Sequence, residues 1–167
     1  VNGAGYLESL LAKGILGHPG WSRGGEEAGV SQSVTYVSSH DNYTLWDKLT
    51  MTASYDSSGY DSPELIRIAV NKLAGALILT SQGMSFFLAG EEFGRTKYGD
   101  GNSYCSSSRI NELNWVRTIT FQELVSYYRG LIAIRRRFSA LTDETGKAAG
   151  TIRFHMLTDQ VIAYTIQ

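Results

Sequence analysis

The sequence predicts an α/β fold, with strands and helices alternating as in a parallel sheet, followed by a small antiparallel β domain. Three observations predict it. Residues 34–38 and 84–89 are short runs of β-branched, aromatic and aliphatic side chains, of strand length. The second run is continuously apolar, as suits a strand buried on both faces of a parallel sheet. Segments of helical period lie before, between and after the two runs. From Thr151 onward the period changes to two. A complete (β/α)8 barrel takes roughly 250 residues, so 167 residues hold only two or three of its units.

The elements follow in order. Tyr6, Leu7, Leu10, Leu11 and Ile15 give a helix over residues 5–15, stopped at Gly14 or Gly17. Residues 17–32 are rich in Gly and Ser and read as a loop. The strand 34–38 stops at Ser39-His40-Asp41-Asn42, and a helix through Leu45, Trp46 and Leu49 begins near Thr44, capped by Asp41 or Asn42. Asp61-Ser62-Pro63-Glu64 is a helix start, with a capping residue, Pro in the first turn and then an acid. Leu65, Ile66, Ala69, Val70, Leu73, Leu77 and Ile78 carry that helix to about Gln82-Gly83; Ala74-Gly75-Ala76 allows close approach to a sheet. Residues 90–114 form a long polar loop, of a length usually reserved for function. Residues 121–138 form a third helix, with Arg135, Arg136 and Arg137 at its negative end. Two antiparallel strands around Ile152–Met156 and Val161–Tyr164 close the chain.

Composition narrows the function classes. Apolar residues make up 43% of the chain, enough for a core, and 15 basic against 16 acidic residues give a net charge of −1. With no basic surplus to neutralise phosphates, a nucleic-acid partner is not expected. No apolar run reaches membrane-spanning length and no signal-peptide pattern opens the chain, so no membrane partner is expected either. One Cys excludes an internal disulfide framework and a thiolate zinc site. The first residue is Val rather than Met, and the chain is expected to be a piece of a longer protein.

In a parallel barrel the chemistry sits beyond the C-terminal ends of the strands. Three features lie there: Ser38-Ser39-His40-Asp41-Asn42, Gly90-Glu91-Glu92-Phe93, and the loop from Arg95 to Tyr104. A carboxylate such as Asp41 can hold sugar hydroxyls and stabilise an oxocarbenium ion, with an imidazole beside it donating to a second hydroxyl. The same Asp41 also reads as an ordinary helix cap. Glu91 and Glu92 are adjacent and point apart, so they do not read as one catalytic pair. Asp100, Asn102 and nearby carbonyls are Ca²⁺-ligand types, but the same residues form ordinary turns, and no metal or cofactor is assigned. Trp21, Trp46 and Trp115 are candidates for stacking on sugar faces or for the core. Cys105, His18 and His155 show no activating or ligand pattern. No Gly-rich strand-to-helix turn of the dinucleotide-binding kind opens a helix.

The run Val34-Thr35-Tyr36-Val37-Ser38-Ser39-His40-Asp41-Asn42-Tyr43-Thr44-Leu45-Trp46-Asp47-Lys48-Leu49 resembles the strand-seven motif of type I pullulanases, debranching enzymes of the α-amylase superfamily of glycoside hydrolases. Gly83-Met84 through Ala89-Gly90-Glu91-Glu92-Phe93 is similar to the strand-eight motif. The likeness continues in Arg95 to Tyr104 and in Ile110-Asn111-Glu112-Leu113-Asn114-Trp115. Isoamylases, the near alternative, typically have Gly rather than Asn after the His-Asp pair.

The resemblance implies the C-terminal portion of a TIM (β/α)8 barrel over residues 1–145, then the first strands of a C-terminal β domain over 146–167. It implies cleavage, with retention, of α-1,6 branch linkages in an α-glucan: pullulan, amylopectin or glycogen. The nucleophile and acid/base of such enzymes follow strands four and five, and neither motif is in this sequence. Only the third carboxylate carries over, onto Asp41, with His40 as its substrate-binding neighbour. Asn42, Asp100, Asn102 and Tyr104 are expected to line flanking subsites. The isolated chain is expected to be inactive and to self-associate through strands left without neighbours. The competing reading is a catalytically dead α-glucan-binding relative.

Overall fold

The computed structural model describes residues 7–17, 22–23, 26–27, 30–52, 63–143, 145, 152–158 and 161–166. In chain order the elements are α1 (Leu7–Ile15), β1 (Ser22–Arg23), β2 (Glu26–Glu27), β3 (Val34–Thr35), α2 (Leu45–Thr52), α3 (Pro63–Leu79), β4 (Met84–Ser85), α4 (Ser108–Asn111), α5 (Arg117–Thr120), α6 (Gln122–Arg137), β5 (Ile152–Thr158) and β6 (Val161–Ile166). Short 3₁₀ turns lie at Val30–Gln32, Glu91–Phe93, Ser103–Cys105 and Ser139–Leu141. None of the described helices is long and apolar enough to cross a membrane. The chain divides into two compact units, one including residues 36–76 and 87–131, the other residues 2–35, 77–86 and 132–167.

Among the described residues, the second unit holds the paired strands. β3 and β4 are parallel, with Val34 opposite Met84 and Thr35 opposite Ser85, and the chain reaches β4 from β3 through α2 and α3. This is the strand–helix–strand order expected of a parallel sheet. The ladder is shorter than residues 34–38 and 84–89 suggest. Phe86 N–H still donates to Thr35 O at 3.0 Å, and then the pairing ends. Nor is the run 84–89 buried on both faces: Met84 and Phe86, which share one face of it, are exposed, and among the described residues β3 is the only strand beside β4. Residues 22–23 and 26–27, expected as loop, pair as the antiparallel β1–β2. β5 and β6 are antiparallel from Ile152–Ile166 to Thr158–Val161, as their alternation predicts, with a bulge between Phe154 and Met156.

The turn 80–83 between α3 and β4 gathers this unit. Gln82 N–H donates to Ile15 O at 2.8 Å and its side-chain amide to Ala140 O at 3.1 Å. Arg135 donates to Leu79 O, Ser81 O and Gly83 O. Its charge therefore serves the carbonyls at the end of α3 rather than the end of its own helix. Gly17, at φ 69°, ends α1; a Cβ there would lie 2.9 Å from Val30.

The core of the other unit is built from α2, α6 and the turns after β4. Leu45, Trp46, Leu49, Leu88, Phe93, Phe121, Leu124, Tyr128 and Leu131 are buried in it. The Arg117 guanidinium lies over the rings of Trp46 and Phe121, at 5.4 and 4.7 Å from their centroids. The small residues 74–76 do allow close approach, but to a helix. A Cβ on Gly75 of α3 would meet the Tyr128 ring of α6 at 2.7 Å. The expected helix 121–138 is α6, preceded by α5. The expected start of the first helix at residues 5–6, the Asp61-Ser62 cap, Trp21 and His18 lie outside the described residues.

Candidate functional site

Two of the three predicted site segments come together. His40, Asp41 and Asn42, beyond the end of β3, and Asn102 and Tyr104, from the loop beyond β4, line one hollow of about 590 Å³. Lys97, Gly101, Ser103 and Asn111 complete its wall. Asp100 is not on that wall. Its carboxylate accepts from the Ser106 hydroxyl at 2.5 Å and from Asn102 N–H at 2.9 Å, and these bonds hold it below the usual Asp value.

The first segment is placed by its backbone. Asn42 sits at φ 65°, a left-handed conformation that Asn tolerates better than most residues. Its side-chain oxygen accepts Tyr43 N–H at 2.9 Å. Neither Asp41 nor Asn42 caps the helix that follows. Thr44 does: its hydroxyl accepts Asp47 N–H at 3.1 Å, three residues on, as an N-cap should. The capping reading of Asp41 therefore falls, and its carboxylate is free for other work. His40 Nε2 lies 3.3 Å from Asp41 Oδ2, with both side chains 84% exposed.

Beneath the hollow is a set of buried polar contacts. The Lys97 side chain is 2% exposed, and its ammonium donates to His40 O and Asn42 O at 2.9 Å each and to Ser103 Oγ at 3.0 Å. Ser103 Oγ donates onward to Asn111 Oδ1 at 2.8 Å, and the Asn111 amide returns a bond to Ser103 O at 2.8 Å. Asp47 of α2 accepts Lys97 N–H at 2.8 Å and the Thr96 hydroxyl. Lys48 Nζ donates to Val37 O at 2.9 Å. The Tyr43 ring packs on Gly101, where a Cβ would be 3.0 Å away.

Glu91 and Glu92 lie in a 3₁₀ turn and take different partners. Glu91 is buried, accepts the Ser38 hydroxyl and Leu88 N–H, and has its pKa raised by burial. Glu92 accepts Gly90 N–H at 2.9 Å. Trp46 is core, whereas Trp115 is exposed beside Phe93. Cys105 is free and exposed, and His155 shares a hydrogen bond with Thr165.

Chemically, the hollow offers a carboxylate acceptor, an imidazole, three primary amides and the exposed ring of Tyr104. That set suits a polyhydroxylated ring, whose hydroxyls need both donors and acceptors and whose carbon face needs an apolar platform. Sequence reasoning missed Lys97, Ser103 and Asn111. A single Lys in a polar loop carries no pattern that marks it as buried, and Ser and Asn there read as turn formers.

A pullulanase of Bacillus subtilis (strain 168) is 38% identical over 169 residues, which cover 98% of this chain and 22% of that protein. Over nearly its whole length the chain is similar to a part of the type I pullulanases. The crystal structure of a Paenibacillus barengoltzii pullulanase, in complex with maltohexaose and α-cyclodextrin, aligns with 99% of the chain at a TM-score of 0.83 and 36% identity. Type I pullulanase from Bacillus subtilis, complexed with maltose, aligns with 96% of it at a TM-score of 0.81 and 36% identity. No family model matches the chain. The chain spans 25% and 22% of the lengths of those two pullulanase structures.

Proposed function

We propose that this chain supplies one wall of the active site of a retaining debranching enzyme that cleaves α-1,6 linkages in pullulan, amylopectin or glycogen. On this reading residues 1–145 are the last units of a TIM (β/α)8 barrel, and residues 146–167 begin a C-terminal β domain. The observation that carries it is the convergence of His40, Asp41, Asn42, Asn102 and Tyr104 on one hollow, from segments that follow β3 and β4 in the chain. The pullulanases this chain resembles were crystallised with maltohexaose, α-cyclodextrin and maltose, which points to an α-glucan for the hollow.

Retaining cleavage needs a nucleophilic carboxylate and an acid/base carboxylate about 5–5.5 Å apart. The hollow contains one carboxylate, Asp41. It acts as the third acid: it accepts hydrogen bonds from ring hydroxyls that strengthen as the sugar flattens toward the oxocarbenium ion, so it binds the transition state better than the ground state. His40 donates to an adjacent hydroxyl, Asn42 and Asn102 bond the neighbouring rings, and Tyr104 stacks on one. Asp100 serves by shaping the loop that carries Asn102 and Tyr104.

The test is reducing-sugar release from pullulan. The full-length gene product containing this chain is expected to cleave it, with an Asp41→Ala loss of at least about 100-fold in kcat, the scale of removing one transition-state contact. The 167-residue chain alone is expected to release nothing above its own Asp41→Ala control. Asp41-dependent turnover by the chain alone refutes the division of roles. Glucan binding without turnover by the full-length product makes it a binding relative.

A further inference from the structure

We infer that Lys97 is a positioning residue for the Asp41 carboxylate, holding the His40–Asp41–Asn42 turn from behind. The inference rests on the α-glucan reading of the hollow. An ammonium has three donors. Here all three are used, two on the carbonyls that bracket Asp41 and one on Ser103 Oγ. Lys97 makes no ion pair with any carboxylate among the described residues, although its side chain is 2% exposed. Burying a charge on neutral partners is costly, and a buried Lys usually has a carboxylate beside it. The position is itself anchored, because Asp47 accepts the Lys97 N–H and Asn111 fixes Ser103.

The arrangement explains how an exposed carboxylate keeps a defined place. Asp41 has no hydrogen bond to its own turn, and its close contact is the exposed His40. Two charge-assisted bonds, to the carbonyls of His40 and Asn42, fix the peptide plane before Asp41 and the plane after Asn42, and so pin the short turn that carries the carboxylate at both of its ends. The same ammonium bonds the Ser103 hydroxyl, so one group sets the spacing between the segment bearing Asp41 and the loop bearing Asn102 and Tyr104. A neutral side chain of the same length would leave three acceptors empty and the turn unpinned.

The experiment has two readouts in the full-length gene product. Lys97→Met is expected to raise amide deuterium exchange at least about tenfold in the peptide spanning residues 39–44, with distant peptides unchanged. On pullulan it is expected to lower kcat about 100-fold per folded molecule with KM within about threefold, because a displacement of about 1 Å costs that much in the transition state. A purely structural role would reduce folded yield and leave kcat per folded molecule intact. Unchanged exchange in 39–44, or kcat within threefold of the parent while Asp41→Asn is inactive, overturns the inference. A fully active Asp41→Asn overturns the α-glucan reading instead, and the exchange result then judges Lys97 alone. If Lys97→Met does not fold, Lys97→Arg decides by the same criteria, since a guanidinium keeps the charge but cannot reach all three acceptors from one atom.

Discussion

The Glu91 side chain has its protonation bound to the fold. It is buried against Ser38 and the Leu88 amide, and one of its oxygens has no hydrogen-bond partner among the described residues. Burial raises its pKa, and the nearby Glu92 adds to this, while the bonds from Ser38 and Leu88 pull it back. The folded state therefore holds its proton to higher pH than the unfolded chain, whose Glu titrates near 4.5. Between those two values the folded form binds more protons, so stability falls as pH rises, and the penalty is complete above the folded value. Glu91→Gln abolishes this component. Urea unfolding from pH 4 to 8 is expected to show a parent whose stability declines through that window relative to the variant. Parallel curves would mean that the carboxyl is solvated in solution. Nothing in the residue order revealed this: which of Glu91 and Glu92 enters the core depends on where the turn 91–93 places it.

Helix α2 illustrates how an element can be legible while its anchoring is not. Its apolar residues Leu45, Trp46 and Leu49 are regular enough to be read, and they are buried. Its cap is misplaced by the sequence reading, which expects Asp41 or Asn42 because both are good caps. Only the backbone path, left-handed at Asn42, decides for Thr44. Asp47, in the first turn, reads as a helix-dipole acid, yet it also reaches the loop beyond β4, at Lys97 N–H and the Thr96 hydroxyl. The two roles differ in energy. Removing the Thr44 cap costs about 1 kcal/mol. Asp47→Ala leaves two donors without their charged acceptor and is expected to cost about 3 kcal/mol, at roughly 1.5 kcal/mol or more for each bond to a charged group. Denaturant midpoints of Thr44→Ala and Asp47→Ala compare the two directly. Equal losses would show that Asp47 acts only within its own helix.

At the scale of the whole molecule, the helices and the β5–β6 hairpin were legible from their period, although Leu10 and Leu11 of α1 and Leu65 and Leu73 of α3 stay exposed. The parallel strands were legible in kind but not in extent. A run such as 84–89 records burial on both faces, and among the described residues β4 has a neighbour on one side only. Val34, Met84 and Phe86 are 48%, 50% and 42% exposed beside that open sheet edge. Such an edge pairs with whatever strand is offered. For the chain on its own that is a second copy, which makes self-association the expected behaviour. The driving force is modest. Covering the exposed halves of three apolar side chains is worth about 1 kcal/mol each, or about 6 kcal/mol for two copies. Lost translational and rotational freedom offsets at least about 4 kcal/mol of that. Edge hydrogen bonds must supply the remainder, so assembly is expected only at upper micromolar concentration. Sedimentation equilibrium across that range is expected to show a weight-average mass that rises with concentration and returns to the monomer value in Met84→Lys. A monomer throughout would mean that the edge is covered by the chain itself, and the exposed apolar residues would then need another explanation.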